Sequence, residues 1–199
     1  MIKRLRLNTQ KVENKIPVVI QEILLDKSAM LAGGAARSLM TNERINDFDL
    51  FFVSEHGLKE TKEYLEYQKF KLVFSCPKGE LFTYKKYGLK IQLINKRYYN
   101  GYYDLLNSFD FNCCMFVLDL NDDGPIGINS YIFTTNDAII DSRNKEVNIN
   151  RIEYPVATIS RFIKYSKKGW TITRKAKEDI CFALQNMSLN SENMILYLD

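Results

Sequence analysis

The sequence is poor in the residues that build most metal and disulfide sites. It has a single histidine, His56, and four cysteines, none of which form a Cys-x-x-Cys pair. A protein zinc site generally needs several histidine or cysteine ligands at short spacing, and disulfide frameworks occur in cysteine-dense secreted chains. These shortages argue against structural zinc and against a disulfide-stabilised fold.

Long apolar segments are missing as well. No run approaches the roughly 20 apolar residues that a membrane helix requires, and the basic residues 3–6 are not followed by the apolar core of a signal peptide. We therefore expect no membrane partner and a cytoplasmic location. The net charge of +4 is compatible with phosphate-rich partners such as a nucleoside triphosphate or RNA, but it is too small to establish one.

Apolar periodicity predicts an α+β fold with a mixed sheet flanked by helices. Helical spacing occurs at residues 16–25, 35–41, 58–67 and 102–107, and β-like runs occur at 28–32, 47–53, 70–74, 81–85, 89–94 and 111–120. The pattern from 126 to 152 predicts short strands, and two amphipathic stretches, 156–167 and 175–187, predict helices. We divide the chain into a head domain, 1–150, and a helical C-terminal region, 151–199.

The strongest chemical signal is a glycine pair followed by two spaced acids. Gly33 and Gly34 lie between a predicted strand and a predicted helix, and Asp47-Phe48-Asp49 opens the next strand. Residues i and i+2 of a strand project to one face, so Asp47 and Asp49 can present carboxylate oxygens to the same Mg²⁺ ions. Glycine without a Cβ, next to a helix N-terminus, permits close approach of a triphosphate.

Arg37 lies one turn into the predicted helix, and two roles are open to it. Its guanidinium could neutralise phosphate charge, or it could pair with a carboxylate that shapes the glycine turn. The sequence does not distinguish between them.

Three segments resemble one enzyme family. LAGGAARSLMTNERINDFDLFF, residues 31–52, resembles the GGxxR and DxD motifs of the class II tRNA nucleotidyltransferases and bacterial poly(A) polymerases, in the DNA polymerase β superfamily. SFDFNCCMFVLD, residues 108–119, resembles the later RRDFTINAMAYD-like segment, and PVATISRFIKYSKKGW, residues 155–170, resembles the first helix of the family's neck. The resemblance implies a polymerase β-like nucleotidyltransferase head followed by a neck-like helical region.

The resemblance also implies roles for individual residues. Asp47 and Asp49 would be the catalytic ligands of a two-Mg²⁺ site. The expected nucleotide-binding residues are Gly33, Gly34, Arg37, Asp110, Arg161 and Lys164. The implied reaction is template-independent transfer of a nucleotide from an NTP to an acceptor, with release of pyrophosphate; an RNA 3′ end is the first expectation for the acceptor and a protein the alternative.

Two departures from the family pattern support a second hypothesis. Ser108-Phe109 replaces a pair of arginines, and Gln92 stands where a third acid is expected. Glutamine can form hydrogen bonds but cannot act as a base. The chain could therefore be a catalytically degenerate module that binds nucleotide or a protein partner.

The small size of the chain would suit an enzyme encoded by a phage or another mobile element.

Overall fold

The computed structural model describes residues 1–26, 29–122 and 128–187. Helices and strands are both present, in an order that does not alternate regularly, and the predicted α+β fold is confirmed. The elements in order are β1 (Ile2–Arg6), α1 (Thr9–Lys15), α2 (Val18–Leu25), β2 (Ala29–Ala32), α3 (Gly34–Thr41), β3 (Phe48–Phe52), α4 (Glu55–Tyr67), β4 (Lys71–Ser75), β5 (Leu81–Lys86), β6 (Leu89–Ile94), α5 (Tyr102–Ser108), a 3-10 turn (Asn112–Cys114), β7 (Phe116–Asp122), β8 (Ile128–Thr135), α6 (Asn136–Asn144), β9 (Glu146–Val147), α7 (Pro155–Lys167), β10 (Thr171–Ile172) and α8 (Arg174–Gln185).

Eight strands form one mixed sheet in the order β1-β8-β7-β2-β3-β6-β5-β4. The pair β3 and β6 is parallel, and the other neighbours in this sheet are antiparallel. A parallel pair needs a long connection, and here α4, β4 and β5 lie between β3 and β6. This connection places β6 directly beside the strand that carries the DxD motif.

Strand β3 packs one face against helices and carries Asp49 on the other. Phe48, Leu50 and Phe52 are buried, and helices α3 and α4 contact this strand. Alternation along a strand sends the intervening residues to the opposite face, where Asp49 is only half-buried. Helix α4 begins at a local signal, because the side chain of Ser54 accepts a hydrogen bond from the backbone N–H of Gly57.

Two groups of buried apolar side chains hold the chain together. The larger lies between the sheet and its helices and includes Leu31, Leu50 and Leu93. The smaller contains residues from both sides of position 150: Phe111, Cys113, Val147, Phe162, Trp170, Ala176 and Ile180. The division at residue 150 stays a prediction, but side chains on its two sides share this second core.

Several local predictions differ from the structure. The predicted strand 111–120 is a 3-10 turn followed by β7, and helix α6 lies within the region where short strands were predicted. Strand β1 and helix α1 were not predicted. Ser28 of the predicted strand 28–32, and residues 126–127 of the region 126–152 with its predicted short strands, lie outside the described residues. In the ranges that the structure describes, no helix has the length and apolar character needed to cross a membrane.

Candidate active site

The two acids of the DxD motif lie at the centre of the sheet. Asp49 is in register with Ala32 of β2 on one side and with Gln92 of β6 on the other, and Thr83 of β5 continues the row. Partners in register project to the same face of a sheet. The glutamine that replaces the expected third acid therefore stands beside Asp49 on one face.

Asp47 immediately precedes β3, because the strand begins at residue 48, one residue later than predicted. Its Oδ2 atom lies 3.3 Å from the ammonium nitrogen of Lys90. Lys90 is two residues before Gln92 on β6, so both residues belong to the face that carries Asp49. Asp47 and Asp49 therefore share this face, as the i and i+2 spacing predicts.

The glycine turn approaches the same carboxylates. Gly33 has φ 71° and ψ −133°, a conformation that favours glycine. A Cβ atom placed on it would lie 4.0 Å from Oδ2 of Asp49. The N–H of Gly33 donates to the carbonyl of Phe116, at 2.9 Å, which fixes the turn to β7. Gly34 is exposed and opens helix α3, so the first amides of that helix lie next to the acids.

Arg37 points from α3 toward the C-terminal region. Its side chain donates to the carboxylate of Glu43 at 2.9 Å, to the carbonyl of Cys113 at 3.0 Å and to the hydroxyl of Tyr165 at 3.2 Å. It also lies 4.6 Å from the ring centre of Trp170. Burial disfavours the charge, but Tyr165 and the other neighbours outweigh burial and raise the pKa of Arg37. Arg37 is thus paired with a carboxylate, but that carboxylate belongs to Glu43, beyond the end of α3 that lies opposite the glycine turn; its expected roles in phosphate binding and in shaping the turn stay predictions.

Asp110 and Arg161 of α7 form a partly buried ion pair. The guanidinium of Arg161 donates to the Asp110 carboxylate, and the hydroxyl of Thr158 lies 3.5 Å from the same oxygen. Burial raises the pKa of Asp110, and Arg161 opposes that rise. The structure thus brings together two of the predicted nucleotide-binding residues, Asp110 and Arg161.

Lys96, two residues after the end of β6, lies near the Asp110–Arg161 pair. Its ammonium lies 3.6 Å from the ring centre of Tyr154, and it is close enough to Glu153 and Arg161 for their charges to affect it. Burial, followed by the charge of Arg161, lowers the pKa of Lys96, while Glu153 opposes the change. Lys164, also predicted as a nucleotide ligand, lies half-buried one turn after Arg161 on α7. Its role stays a prediction.

The donor set at the DxD motif suits magnesium. Mg²⁺ is usually bound by one or two carboxylates together with substrate phosphates and water, and Asp47, Asp49 and the amide oxygen of Gln92 are oxygen donors of that kind. No cluster of three or more His, Cys, Asp or Glu side chains with metal-binding geometry occurs among the described residues. A two-metal site would therefore depend on the two aspartates and on the phosphates of the nucleotide.

Lys90 and Lys96 were missed by the sequence interpretation. A signal for Lys90 was present, because Lys90 and Gln92 are two residues apart on a predicted strand and must share a face. Its contact with Asp47 depends on the parallel pairing of β3 and β6. No spacing rule within a single segment supplies that pairing.

Comparison with solved structures identifies the fold. The chain superposes on a CCA-adding enzyme in complex with ATP with a TM-score of 0.61 and 14% identity, covering 98% of this chain and 49% of that one. The Thermotoga maritima CCA-adding enzyme in complex with tRNA gives 0.60 and 15%, covering 93% and 46%. A tRNA nucleotidyltransferase with primer tRNA and an incoming ATP analog gives 0.54 and 14%, covering 79% and 46%. The polymerase β-like nucleotidyltransferase head, predicted from the motifs, is confirmed as the fold.

Sequence comparison identifies the family. Residues 4–150 match the Gabija anti-defense 2 family. The protein "Gabija anti-defense 2" of Bacillus phage SPbetaL7 is 25% identical over 185 residues, which cover 90% of this chain and 44% of the relative. The chain spans less than half the length of that relative and of the solved structures above. Because the family match covers more than half of its 199 residues, the chain belongs to the Gabija anti-defense 2 family.

Proposed function

We propose that this chain is a Mg²⁺-dependent, template-independent nucleotidyltransferase that transfers a nucleotide from an NTP to an RNA 3′ end. The observation that carries the proposal is the approach of the Gly33 turn to Asp49, with Asp47 on the same face of the sheet. A phosphate-binding turn and two oxygen ligands at this distance form the minimum needed to hold a metal-bound triphosphate.

In the proposed reaction the hydroxyl oxygen of the acceptor bonds to the α-phosphorus of the NTP. The bond from that phosphorus to the pyrophosphate oxygen breaks, pyrophosphate leaves, and the hydroxyl proton passes to solvent. Asp47 and Asp49 would hold the metal, which supplies charge stabilisation for the phosphates. The first amides of α3, which begins at the exposed Gly34, would hold the phosphate oxygens, since a helix N-terminus favours anions.

Arg161 is proposed to contact the nucleotide and Asp110 to position it. The guanidinium is about one-third exposed, while its carboxylate partner is almost fully buried. A guanidinium that is positioned by a buried acid and reaches the surface can present planar donors to a phosphate or a base. Lys96 and Lys164 would add positive charge around the same ligand.

Membership of the family indicates the biological context of this reaction. The family description names Gabija as the system that is opposed, and the relative "Gabija anti-defense 2" comes from a phage. We extend both to this chain: it would act in the cytoplasm of an infected cell and counter Gabija defence. The proposed acceptor is an RNA, and a protein of the Gabija system is the alternative that mass spectrometry of the products distinguishes from it.

A second function has its own supporting observation. The Lys90 ammonium lies 3.3 Å from the Asp47 carboxylate, and Gln92 stands beside Asp49. An ammonium beside one aspartate and a neutral amide beside the other reduce the negative charge available to metal ions. This arrangement favours a degenerate module that binds nucleotide or a Gabija protein without turnover.

The decisive experiment measures transfer directly. The protein is incubated with Mg²⁺, each of the four NTPs, an RNA with a free 3′ hydroxyl and the Gabija proteins, and every product is examined by mass spectrometry. We expect an RNA mass increase of one or more nucleotides. The variant Asp47→Asn/Asp49→Asn should reduce transfer by at least about 100-fold, because loss of metal ligation removes the main charge stabilisation.

A charge-matched control separates catalysis from general charge effects. Glu60→Gln/Glu63→Gln removes two exposed carboxylates on α4 and should leave transfer unchanged. Equal transfer by wild type and the aspartate variant would refute the enzymatic proposal. If that variant still binds NTP in calorimetry and still restores plaquing on a Gabija-carrying host, the binding module is the better account.

A further inference from the structure

Three lysines stand in register on the strands beside the DxD motif. Lys71 of β4 is paired with Lys85 of β5, and Lys85 is paired with Lys90 of β6. We call these three residues the lysine row. At its inner end the row meets Asp47 through Lys90, and at its outer end it reaches β4, the edge strand of the sheet.

The lysine row lies on the face that carries the candidate active site. Lys90 shares its face with Gln92, the partner of Asp49, and the register places Lys85 and Lys71 there too. The opposite face is occupied by α4, whose Glu66 contacts Tyr84 and whose Lys62 lies over the ring of Phe82. The row is therefore on the face away from α4.

Such a row is unfavourable without an anion. Like charges directly opposite one another on neighbouring strands destabilise a sheet, and the side chains stand about 4.8 Å apart from strand to strand. Lys85 and Lys71 are exposed, and neither forms an ion pair with an acidic side chain in the part of the chain that the structure describes. Their charge remains available to a polyanion.

An exposed aromatic side chain accompanies the row. Phe74 is paired with Thr83 on the same face and is 47% exposed. Tyr87, at the tip of the β5–β6 hairpin, is 98% exposed, but its ring centre lies 5.3 Å from the ammonium of Lys86, which projects to the α4 face. Lysines that bind phosphates and aromatic rings on which bases stack are the two components of surfaces that bind single-stranded nucleic acid.

The order of the strands assigns the two sides of the site. The Gly33 turn follows β2, on one side of β3, and the lysine row lies on β6, β5 and β4, on the other side. In-line transfer needs the acceptor hydroxyl opposite the departing pyrophosphate. With the triphosphate at the glycine turn, the acceptor reaches Asp47 from the side of the lysine row; this step rests on the proposed function.

We infer that the lysine row is the path along which a single-stranded RNA 3′ end reaches Asp47 and Asp49. The backbone phosphates contact Lys71, Lys85 and Lys90 in turn, and a base stacks on Phe74. Charge complementarity favours a polyanion with regularly spaced charges, and the exposed ring of Phe74 favours one that carries bases. The acceptor is thereby assigned as RNA.

The test measures RNA binding without turnover. Anisotropy of a fluorescent single-stranded RNA 12-mer is titrated with the Asp47→Asn/Asp49→Asn protein, alone and combined with Lys71→Gln/Lys85→Gln. Each lysine–phosphate contact contributes about 0.7 to the salt slope for single strands, so loss of two contacts should lower the slope by about 1.4 and weaken binding about 25-fold at 0.1 M salt. Phe74→Ser should weaken binding further without changing the slope.

Lys3→Gln/Lys59→Gln serves as the control, because both lysines are exposed, one on the far edge strand β1 and one on α4, and the charge change is the same. An equal loss in this control, no RNA binding by the parent protein, or equally tight binding of polyglutamate would overturn the inference. Because the parent protein here lacks the two aspartates, the result does not depend on transfer. Transfer by wild type that is insensitive to Lys71→Gln/Lys85→Gln would contradict the path and leave the proposed reaction standing.

Discussion

Lys90 neutralises Asp47 across the parallel strand pair: its ammonium nitrogen lies 3.3 Å from Oδ2, and both side chains are about one-third exposed. This ion pair places a positive charge where a divalent cation would otherwise bind. The intact pair makes Asp47 less available to metal, which suits the module that binds without turnover. When Lys90 contacts an RNA phosphate instead, Asp47 is released for metal, which suits the transferase.

Replacement of Lys90 by methionine should tighten metal binding. A pair of unit charges at about 4 Å in water is worth about 1 kcal/mol, which corresponds to roughly a fivefold change in affinity. Titration with Mn²⁺, followed by electron paramagnetic resonance, would measure this change. Lys59→Met, which removes an exposed lysine on α4, is the control; unchanged or weaker Mn²⁺ binding by Lys90→Met would contradict competition between ammonium and metal.

The two glycines of the turn should respond differently to alanine. Gly33 has φ 71°, so Gly33→Ala should lower the free energy of unfolding by about 1–3 kcal/mol. Gly34 is the first residue of α3, and an added Cβ would meet nothing within 4 Å, so Gly34→Ala should be neutral or stabilising by up to about 1 kcal/mol. Urea denaturation of both variants tests the contrast, and equal effects would show that backbone conformation is not the cause.

Replacement of Arg37 should reduce stability even without nucleotide. Arg37→Met leaves Glu43, the Cys113 carbonyl and the Tyr165 hydroxyl without their common donor, and loss of a buried charged donor costs roughly 2–4 kcal/mol. Arg44→Met, at an exposed position on the loop after α3, should stay within about 0.5 kcal/mol of wild type. Unchanged unfolding with lost NTP binding would instead assign Arg37 to the nucleotide.

Ionisation of Tyr84 should lower the free energy of unfolding at alkaline pH. Burial, together with the charge of Glu66 and a hydrogen bond to it, raises the pKa of Tyr84 from 10.0 to about 12. The unfolded chain therefore loses this proton more readily, so the contribution of Tyr84 is constant below pH 10 and is lost as the pH rises toward 12. Urea denaturation at pH 8, 10 and 11.5 should show wild type losing stability relative to Tyr84→Phe only in the upper interval, and a constant difference at all three values would contradict the assignment.

Local patterns in the sequence were sufficient to predict the glycine turn and the strand at the centre of the sheet. The Gly33-Gly34 turn and the Asp47-Phe48-Asp49 strand depend on backbone conformation and on alternation, and both are properties of neighbouring residues. The C-terminal helices were likewise predicted from amphipathic spacing, and α7 and α8 begin within two residues of the predicted starts. Site roles derived from these elements stay predictions until they are measured.

Features that depend on distant pairing could not be read from the sequence. Strand β1 is stabilised by pairing with β8, more than 120 residues away, and its short basic sequence gives little apolar signal. Asn112–Cys114 form a 3-10 turn inside a run that alternation marks as a strand, and Cys113 of that turn packs in the second core with Phe162 and Trp170, which lie far along the chain. The lysine row has the same origin, since Lys71, Lys85 and Lys90 are scattered in sequence and come into register only across three strands.

The position of Arg37 on α3 has a structural consequence. Helix α3 is about 12 Å long, with the glycine turn at its N-terminal end and the guanidinium of Arg37 in its first turn. Tyr165 and Trp170 contact that guanidinium. One short helix therefore connects the turn beside Asp49 to the C-terminal region, so a change in the packing around Tyr165 and Trp170 has a direct structural connection to the candidate site.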